Sequence, residues 1–387
     1  MTGEKVAVVG GSVAGCAAAL ALWRTGNDVT VLERSADGLQ DRGVGIGMLG
    51  DSRRELVDAG YLDAATPFLT VARRKWITQD GSSYGGRVVA VTDFGARTYN
   101  WGLLWRSLRD RVPAAVDYRS GHRVVSVVDG GDKVTVTLSD GSQERFDAVI
   151  GTDGYRSTVR AAMFPDTHPR YVGYLLWRGT LPASSLPGRP VPWAEDDLVY
   201  LVFPGGHLVM YLIPGPDGPA VNWAVYSAAP SGRWDDPTSL PPGAMPPELL
   251  DHLAVIGEKL PRHWREVIRA TPVDKLLVQP IYEVMTPALA TGRLALVGDA
   301  AAVARPHTGA GAVKAMQDAV ALQTVLSEGK ELTDALRLFD QRRGPVHRGM
   351  VALGRSLGKA LVLDTPDWGR MSADGLAEWW RAVATQG

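Results

Sequence analysis

The chain has 387 residues, 45% apolar and 21% charged, which is the composition of a globular protein of two or three domains. Acidic and basic residues nearly cancel, 42 against 41, so the charge balance argues against a nucleic-acid surface or a polybasic membrane anchor. A single cysteine, Cys16, excludes an internal disulfide and argues against a cysteine-based metal site; we expect no metal and a reducing, cytoplasmic setting.

The chain opens with a predicted β-strand, α-helix and second strand, at Val6–Val9, Ser12–Thr25 and Val29–Glu33. The uncharged run at 6–23 is long enough to raise the question of a signal peptide or membrane span. Glycines at 10, 11 and 15 break that run into a strand, a turn and a helix. We therefore expect a βαβ-type unit of a globular domain and no membrane segment.

The turn VAVVGGSVAGC has the spacing of a dinucleotide-binding fingerprint, with Gly10, Ser12 and Gly15 at its three key positions. Such a turn directs the N–H groups of the helix towards a pyrophosphate. Glu33 ends the second strand, where an acidic residue binds the ribose hydroxyls. The pattern predicts a site for one dinucleotide, either FAD or NAD, although a tight structural turn is an alternative.

The middle of the chain predicts a helix at Leu103–Arg111, a hairpin from 124–128 to 134–138, and a buried strand at Ala148–Ile150. The strand leads into GTDGYRSTVR, which contains Asp153. On its own this segment is equally a strand-to-helix turn capped by a serine.

From 170 to about 271 the sequence is rich in proline, glycine and aromatic residues, with strand-like runs LVYLVF, HLVMYLI and VNWAVYS. Strand alternation places Trp223 and Tyr226 on opposite faces, so at most one faces a pocket. We expect His207, in the hairpin turn after Gly205 and Gly206, to be solvated. A helical stretch at 248–269, a buried parallel strand at Leu294–Val297 and further helices complete the chain.

The last motif, GRLALVGDAAAVARPHTGAGAVKAMQDA, resembles the GD motif of the single-component FAD-dependent aromatic hydroxylases, which have the para-hydroxybenzoate hydroxylase fold, and GTDGYRSTVR resembles their DG motif. The segments GGSVAG, RGVGIGM, TYNWGLLWRSLR, YVGYLLWRGTL, PGGHLVMYLIPG, VNWAVYS and VARPHTGAGAVKA are similar to the branch that contains 2,6-dihydroxypyridine 3-hydroxylase. Two positions differ from the wider family: Ala302 replaces a common histidine, and Trp101 replaces an arginine or glutamine.

The resemblance implies an α/β fold in which a mainly antiparallel sheet domain interrupts a Rossmann-like FAD-binding domain, followed by C-terminal helices. We assign 1–70, 98–169 and 275–330 to the FAD-binding domain, 71–97 and 170–274 to the substrate domain, and 331–387 to the helices. It also implies tight, non-covalent FAD, with Asp299 on its ribityl chain. The residues expected to contact FAD are Gly10, Ser12, Gly15, Glu33, Arg34, Arg42, Trp101, Val125, Asp153, Asp299, Gly311, Ala312 and Val313.

The implied reaction uses NADH or NADPH as a transient co-substrate, and O2, to hydroxylate a small phenolic or N-heteroaromatic substrate through a C4a-hydroperoxyflavin. Tyr211 is the first candidate for activating a ring hydroxyl, and His307, beside the flavin-bordering Pro306, is the second; each is equally a structural residue. Tyr211, Trp223 and Tyr226 are the substrate-binding candidates. Epoxidation, oxidative decarboxylation or rearrangement in natural-product biosynthesis, and flavin binding without turnover, stay open, as does a homodimer.

Overall fold

The structure is a computed structural model that describes residues 3–39, 44–81, 83–186, 193–230, 240 and 243–385. Arg42, one of the predicted cofactor-binding residues, lies outside these ranges. The described strands are β1 (Lys5–Val9), β2 (Asp28–Glu33), β3 (Gly45–Leu49), β4 (Leu69–Thr78), β5 (Arg87–Asn100), β6 (Asp117–Ser120), β7 (Val124–Asp129), β8 (Val134–Leu138), β9 (Gln143–Phe146), β10 (Ala148–Gly151), β11 (Arg170–Pro182), β12 (Asp197–Phe203), β13 (Gly206–Gly215), β14 (Gly218–Ala228), β15 (Leu276–Met285), β16 (Ala290–Thr291), β17 (Leu294–Leu296) and β18 (Ala302–Val303).

The α-helices of the described ranges cover both sheets and the last part of the chain. They are α1 (Val13–Arg24), α2 (Gly50–Asp58), α3 (Trp101–Arg109), α4 (Thr158–Met163), α5 (Pro247–Gly257), α6 (Arg262–Ala270), α7 (Gly311–Leu326), α8 (Leu332–Gly358) and α9 (Ala373–Thr385). None of the helices in the part of the chain that is described has the length and apolar composition needed to cross a bilayer.

The structure contains two large sheets. The first has six strands, in the order β16-β17-β10-β1-β2-β6. The central strands β10, β1 and β2 are parallel, and their apolar residues are buried on both faces. Helix α1 is almost wholly buried and packs against both the sheet and α7. Its run of alanines allows that close approach, because small side chains let two helix backbones come near each other.

The second large sheet has nine strands, in the order β18-β15-β11-β14-β13-β12-β4-β5-β3. One face packs on α5 and α6 in a core that includes Trp177, Trp223 and Trp264. Alternate residues of the same strands point to the other face, towards the six-stranded sheet. That second face has the polar and aromatic side chains of the candidate site.

The edge strand β3 folds back on the middle of this sheet. The backbone N–H of Gly45 donates to Asn222 Oδ1 of β14 at 3.1 Å. A Cβ atom at position 45 would lie 2.8 Å from Asn222 Cγ, so the close approach requires glycine. The nine-stranded sheet therefore curves around the space between the two sheets.

Helix α9 closes part of that space. Trp379 and Trp380 pack near Trp76 of β4, with ring centroids 6.2 and 5.4 Å from it, and Trp368 joins the same cluster. Four of the chain's twelve tryptophans thus pack together, and Trp380 among them lines the space between the sheets.

The fold class predicted from the sequence is confirmed: an α/β nucleotide-binding sheet is interrupted by a mainly antiparallel sheet, and helices follow. The helical stretch predicted at 248–269 is two helices, because Pro261 cannot continue α5 and precedes α6 instead. Strands β3 and β15, which the predicted boundaries place in the FAD-binding domain, pair with β5 and β11 in the nine-stranded sheet. The domain boundaries stay a prediction.

Candidate active site

A cavity of about 730 Å³ lies between the two sheets and runs from the first glycine turn to the face of the nine-stranded sheet. Pockets of this size hold most small-molecule cofactors and substrates. Its wall includes groups from the first turn, the two later motifs and alternate positions of β11 to β14: Ser12, Val13, Ala14, Trp101, Gly154, Tyr155, Asp299, Pro306, His307, Gly311, Ala312, Arg178, Tyr200, His207, Tyr211 and Tyr226.

The first turn has the geometry of a phosphate cradle. Gly10 has φ 104°, and a Cβ at Gly15 would lie 1.9 Å from the Gly10 carbonyl oxygen, so both positions require glycine. Ser12 precedes α1, and its side chain makes no capping hydrogen bond. The first N–H groups of α1 are thus left without a side-chain cap at the cavity wall, where the helix dipole favours an anion.

The predicted ribose ligand, Glu33, is 6% exposed and does not line the cavity. Its carboxylate accepts hydrogen bonds from the N–H groups of Gly11, at 2.6 Å, and Ser35, at 2.8 Å. These contacts fix the end of β2 against the glycine turn. A ribose contact by Glu33 stays a prediction.

The middle motif, GTDGYRSTVR, forms a hydrogen-bonded loop beside the cavity. Asp153 accepts from the Ser157 hydroxyl and from the Thr158 N–H, at 2.6 Å, and so caps α4. The Asp153 carboxylate is turned into this cap, and its neighbours Gly154 and Tyr155 line the cavity. Direct contact between Asp153 and the cofactor stays a prediction. Arg160 donates to the carbonyl oxygen of Ala300 at 3.0 Å and ties this motif to the last one.

In the last motif, the Asp299 carboxylate projects into the cavity, and its side chain is 52% exposed. The buried Lys314 Nζ lies 3.5 Å from it and donates to the Gly298 carbonyl at 3.2 Å. Asp318 lies behind them, fully buried, and accepts from the Gly298 N–H at 2.9 Å. The loop that contains Asp299 is therefore fixed by two buried ionic groups, Lys314 and Asp318, which the sequence analysis did not identify.

Asp318 also joins the loop to α8. Arg343 Nε lies 2.7 Å and His347 Nε2 2.9 Å from its Oδ1. Burial alone would raise the pKa of Asp318, but His347, Arg343 and Lys314 together hold that pKa below its ordinary value. The carboxyl group is thus kept ionised inside the protein.

The N-terminus of α7 forms the next part of the wall. Gly309 turns the chain with φ 64°, and Ala310 precedes the helix without a side-chain cap. Gly311 and Ala312 line the cavity with their uncapped backbone, whereas Val313, also predicted to bind FAD, is 7% exposed and lies beneath that wall. These free N–H groups suit the oxygen and nitrogen edge of a flavin ring.

Beyond Pro306 the cavity becomes an aromatic chamber. The rings of His207 and Tyr226 are stacked, 4.7 Å apart at 8°, and His307 lies 4.4 Å from Tyr226. The prediction that His207 is solvated is wrong: it is 1% exposed, because β13 begins at Gly206 and pairs with both neighbouring strands. The pKa of His207 falls to about 3 through burial.

His307 is oriented by a partner outside the chamber. Its Nε2 lies 2.7 Å from the Tyr174 hydroxyl, and its Nδ1 is buried without a protein partner. Burial, with His207 and Arg305 nearby, lowers the pKa of His307 well below its ordinary value. The imidazole is therefore neutral at neutral pH and has one free nitrogen.

Tyr211 and Tyr226 lie at cavity-facing positions of β13 and β14. Burial raises the pKa of each phenol, so both are neutral hydrogen-bonding groups at neutral pH. Trp223 points to the opposite face, and its Nε1 donates to Thr271 Oγ1 at 2.9 Å in the core. The assignment of Trp223 to the substrate site is corrected by this alternation.

Two other predicted residues lie away from the cavity. Val125 is on the small sheet of β7, β8 and β9 and is 48% exposed, and Arg34 is an exposed residue after β2. Neither lines the cavity, and their contact with FAD stays a prediction. The sequence analysis also missed Arg178, a charged residue within the otherwise uncharged run YLLWRGTL, which was the available signal.

Comparison with known proteins places three flavoprotein family models on this chain. An FAD binding domain model matches residues 252–353, and an FAD binding domain-like model matches residues 171–279. A model for flavin containing amine oxidoreductases matches residues 74–153. All three describe flavoproteins.

Characterised relatives match over most of the chain. The 3-amino-4-hydroxybenzoate 2-monooxygenase of Streptomyces cremeus is 30% identical over 368 residues, which cover 89% of this chain and 85% of that protein. The 2,6-dihydroxypyridine 3-monooxygenase of Paenarthrobacter nicotinovorans is 28% identical over 357 residues, covering 88% and 87%. The solved structure of 2,6-dihydroxypyridine-3-hydroxylase from Arthrobacter nicotinovorans superposes with a TM-score of 0.85 and 25% identity, over 96% of each chain.

Proposed function

The chain belongs to the FAD-dependent aromatic hydroxylases, a family of flavin monooxygenases, and from that membership we propose that it uses NADH or NADPH and O2 to hydroxylate a phenolic or N-heteroaromatic ring. The observation that carries the proposal is the continuous cavity, which joins two uncapped helix N-termini to an aromatic chamber. The relatives' names supply the reaction class, and the chamber supplies the site for a flat ring.

The residues of the cavity fit FAD. The uncapped N–H groups at the start of α1 suit its pyrophosphate, and the Asp299 carboxylate, open to the cavity, suits the ribityl hydroxyls. Gly311 and Ala312 would meet the pyrimidine end of the ring system, with Pro306 at its border. When bound, FAD supplies the electron transfer from the nicotinamide and the activation of oxygen.

The protein's own contribution is to position the substrate and exclude water. The aromatic side chains of Tyr200, His207 and Tyr226 line the chamber, where a flat aromatic substrate can pack against them. Tyr211 and the free Nδ1 of His307 can hydrogen-bond to a ring hydroxyl, and Tyr174 holds the imidazole in place. The enclosed, largely apolar wall strengthens each of these polar contacts.

The proposal is tested with FAD-loaded protein and a panel of phenols and hydroxypyridines. Flavin reduction by NADH or NADPH is followed anaerobically with and without each compound, and products formed under ¹⁸O2 are analysed by mass spectrometry. A hydroxylase incorporates one labelled oxygen into a ring. Labelled oxygen in an epoxide or a rearranged product would redirect the assignment, and absence of flavin reduction with every compound would refute catalysis of this kind.

A further inference from the structure

The charged side chains that line the cavity differ in whether neighbouring groups offset their charge. Among the described lining residues these are Arg74, Arg178, Asp299 and Lys314. Asp299 and Lys314 pair with each other at 3.5 Å, at the cofactor end. Arg74 lies among aromatic faces, 4.6 Å from the Trp380 ring and 5.1 Å from that of Phe94. Arg74 also has no ion pair, but these ring faces offset part of its charge, whereas neither an ion pair nor a ring face is found for Arg178 among the described residues.

Arg178 has no anionic partner among the described residues. Its Nη2 lies 3.4 Å from the Gly45 carbonyl oxygen, and its Nε is buried without a partner. Burial lowers the pKa of the guanidinium, although not enough to neutralise an arginine at neutral pH. A buried cation without a counter-charge is costly, so the free protein keeps a strong anion-binding potential at this point.

The groups around Arg178 do not supply that counter-charge. Tyr211 from β13 and Tyr226 from β14 face it, and both phenols have pKa values raised by burial. The residues opposite Arg178 in the sheet register are Ala224 of β14 and Leu277 of β15, which are apolar. The side chain at Ala224 is small, which leaves room above the sheet for a ligand atom next to the guanidinium.

We propose that Arg178 is the residue that holds the ionised hydroxyl of the aromatic substrate in this protein. The inference rests on the hydroxylase function proposed above and assigns the cation that binds the substrate's charge. The proton stays in bulk water when the anion binds, so no base in the chamber has to remove it. Tyr211 and His307 then orient the bound ring, and the oxyanion against Arg178 keeps the ring electron-rich.

The test measures the ionisation of a bound phenol, without nicotinamide and without turnover. FAD-loaded protein is titrated with 4-nitrophenol across a range of pH, and difference spectra separate the neutral and ionised forms of the bound probe. An opposite charge within hydrogen-bonding reach lowers a pKa by roughly one to three units. We expect a shift of that size for the bound probe in the wild-type protein.

Substitution separates the charge of Arg178 from its bulk. In Arg178→Gln the pKa of the bound probe should rise by at least about one unit, and the ionised probe should bind at least about tenfold more weakly. Arg178→Lys, which keeps the charge, should retain most of the shift. Arg97→Gln is the matched control, because Arg97 is a half-buried arginine of the same sheet that contacts the Phe68 ring outside the cavity. FAD content and circular dichroism verify that each variant is folded.

Each possible result of these measurements either supports or overturns the proposed role of Arg178. A lowered pKa that persists in Arg178→Gln, a preference for the neutral probe, or no saturable binding of the ionised probe would overturn it. Anion binding that depends on Arg178, in a protein that never incorporates labelled oxygen, would support this site and refute the hydroxylase function. Hydroxylation with the same pH profile in wild type and Arg178→Gln would support the hydroxylase function and refute the role of Arg178.

Discussion

Replacement of His207 by phenylalanine should make the protein less sensitive to acid. The imidazole lies between the rings of Tyr200 and Tyr226, 5.8 and 4.7 Å away, and a phenyl ring preserves that stacking. Burial lowers the pKa of His207 from 6.5 to about 3. Below pH 6.5 the unfolded chain therefore takes up a proton that the folded protein does not, and stability falls as the pH falls.

The magnitude follows from that shift. One pH unit within the window is worth about 1.36 kcal/mol, so the two units between pH 6.5 and pH 4.5 remove about 2.7 kcal/mol of folding free energy through this one group. The loss would level off near pH 3, where the folded protein also becomes protonated. In His207→Phe this contribution is absent, and the difference between pH 7.5 and pH 4.5 should shrink by about 2.7 kcal/mol.

Urea unfolding of the FAD-saturated protein at each pH measures the effect. His168→Phe is the control, because that side chain is exposed and its removal should leave the wild-type pH dependence unchanged. The buried histidines away from the chamber, His263 and His347, contribute equally to both proteins and cancel in the comparison. His307 contacts His207, which helps to lower its pKa, so its contribution is measured separately in His307→Phe and the double variant. An identical pH dependence in wild type and His207→Phe would refute the view that His207 is held neutral by burial.

Asp299→Ala should abolish or severely weaken retention of FAD, because its carboxylate lines the cavity and is the proposed acceptor for the ribityl hydroxyls; a stoichiometrically yellow variant after gel filtration would contradict that role. Tyr211→Phe should slow hydroxylation more than flavin reduction, measured by stopped flow and product yield, and unchanged coupling would remove Tyr211 from the chemistry. Asp318→Asn should reduce the free energy of unfolding by about 3–5 kcal/mol, since it breaks a buried ionic cluster. The exposed pair of Asp334 and Arg337 provides its control: Asp334→Asn should cost less than about 1 kcal/mol, and equal losses would contradict the difference in burial.

Local sequence signals predicted the fold well. The glycine turn, the flanking strands and α1 depend on contacts close in sequence, and the period of two correctly separated Trp223 from Tyr226. A helix was extended through Pro261, where the proline rule would have divided it.

The site was harder to predict because it depends on distant pairing. His207 follows two glycines, a pattern typical of an exposed turn, yet the strands on both sides and His307 from another part of the chain enclose it. Arg178 becomes significant only when the sheet curves and brings Gly45 beside it. Asp153 has the sequence context of a ligand, and only the hydrogen bonds of the folded loop identify it as a helix cap.

The two faces of the nine-stranded sheet have different neighbours. Residues such as Val209 and Ala224 border the chamber, while the next residues along the same strands, Met210 and Val225, belong to the core on the other side. A substitution at residue 207, 209 or 211 of β13 therefore alters the space open to a ligand, whereas one at residue 208, 210 or 212 alters the packing against α5 and α6. Variants of the first group are the ones in which a changed substrate preference should be sought.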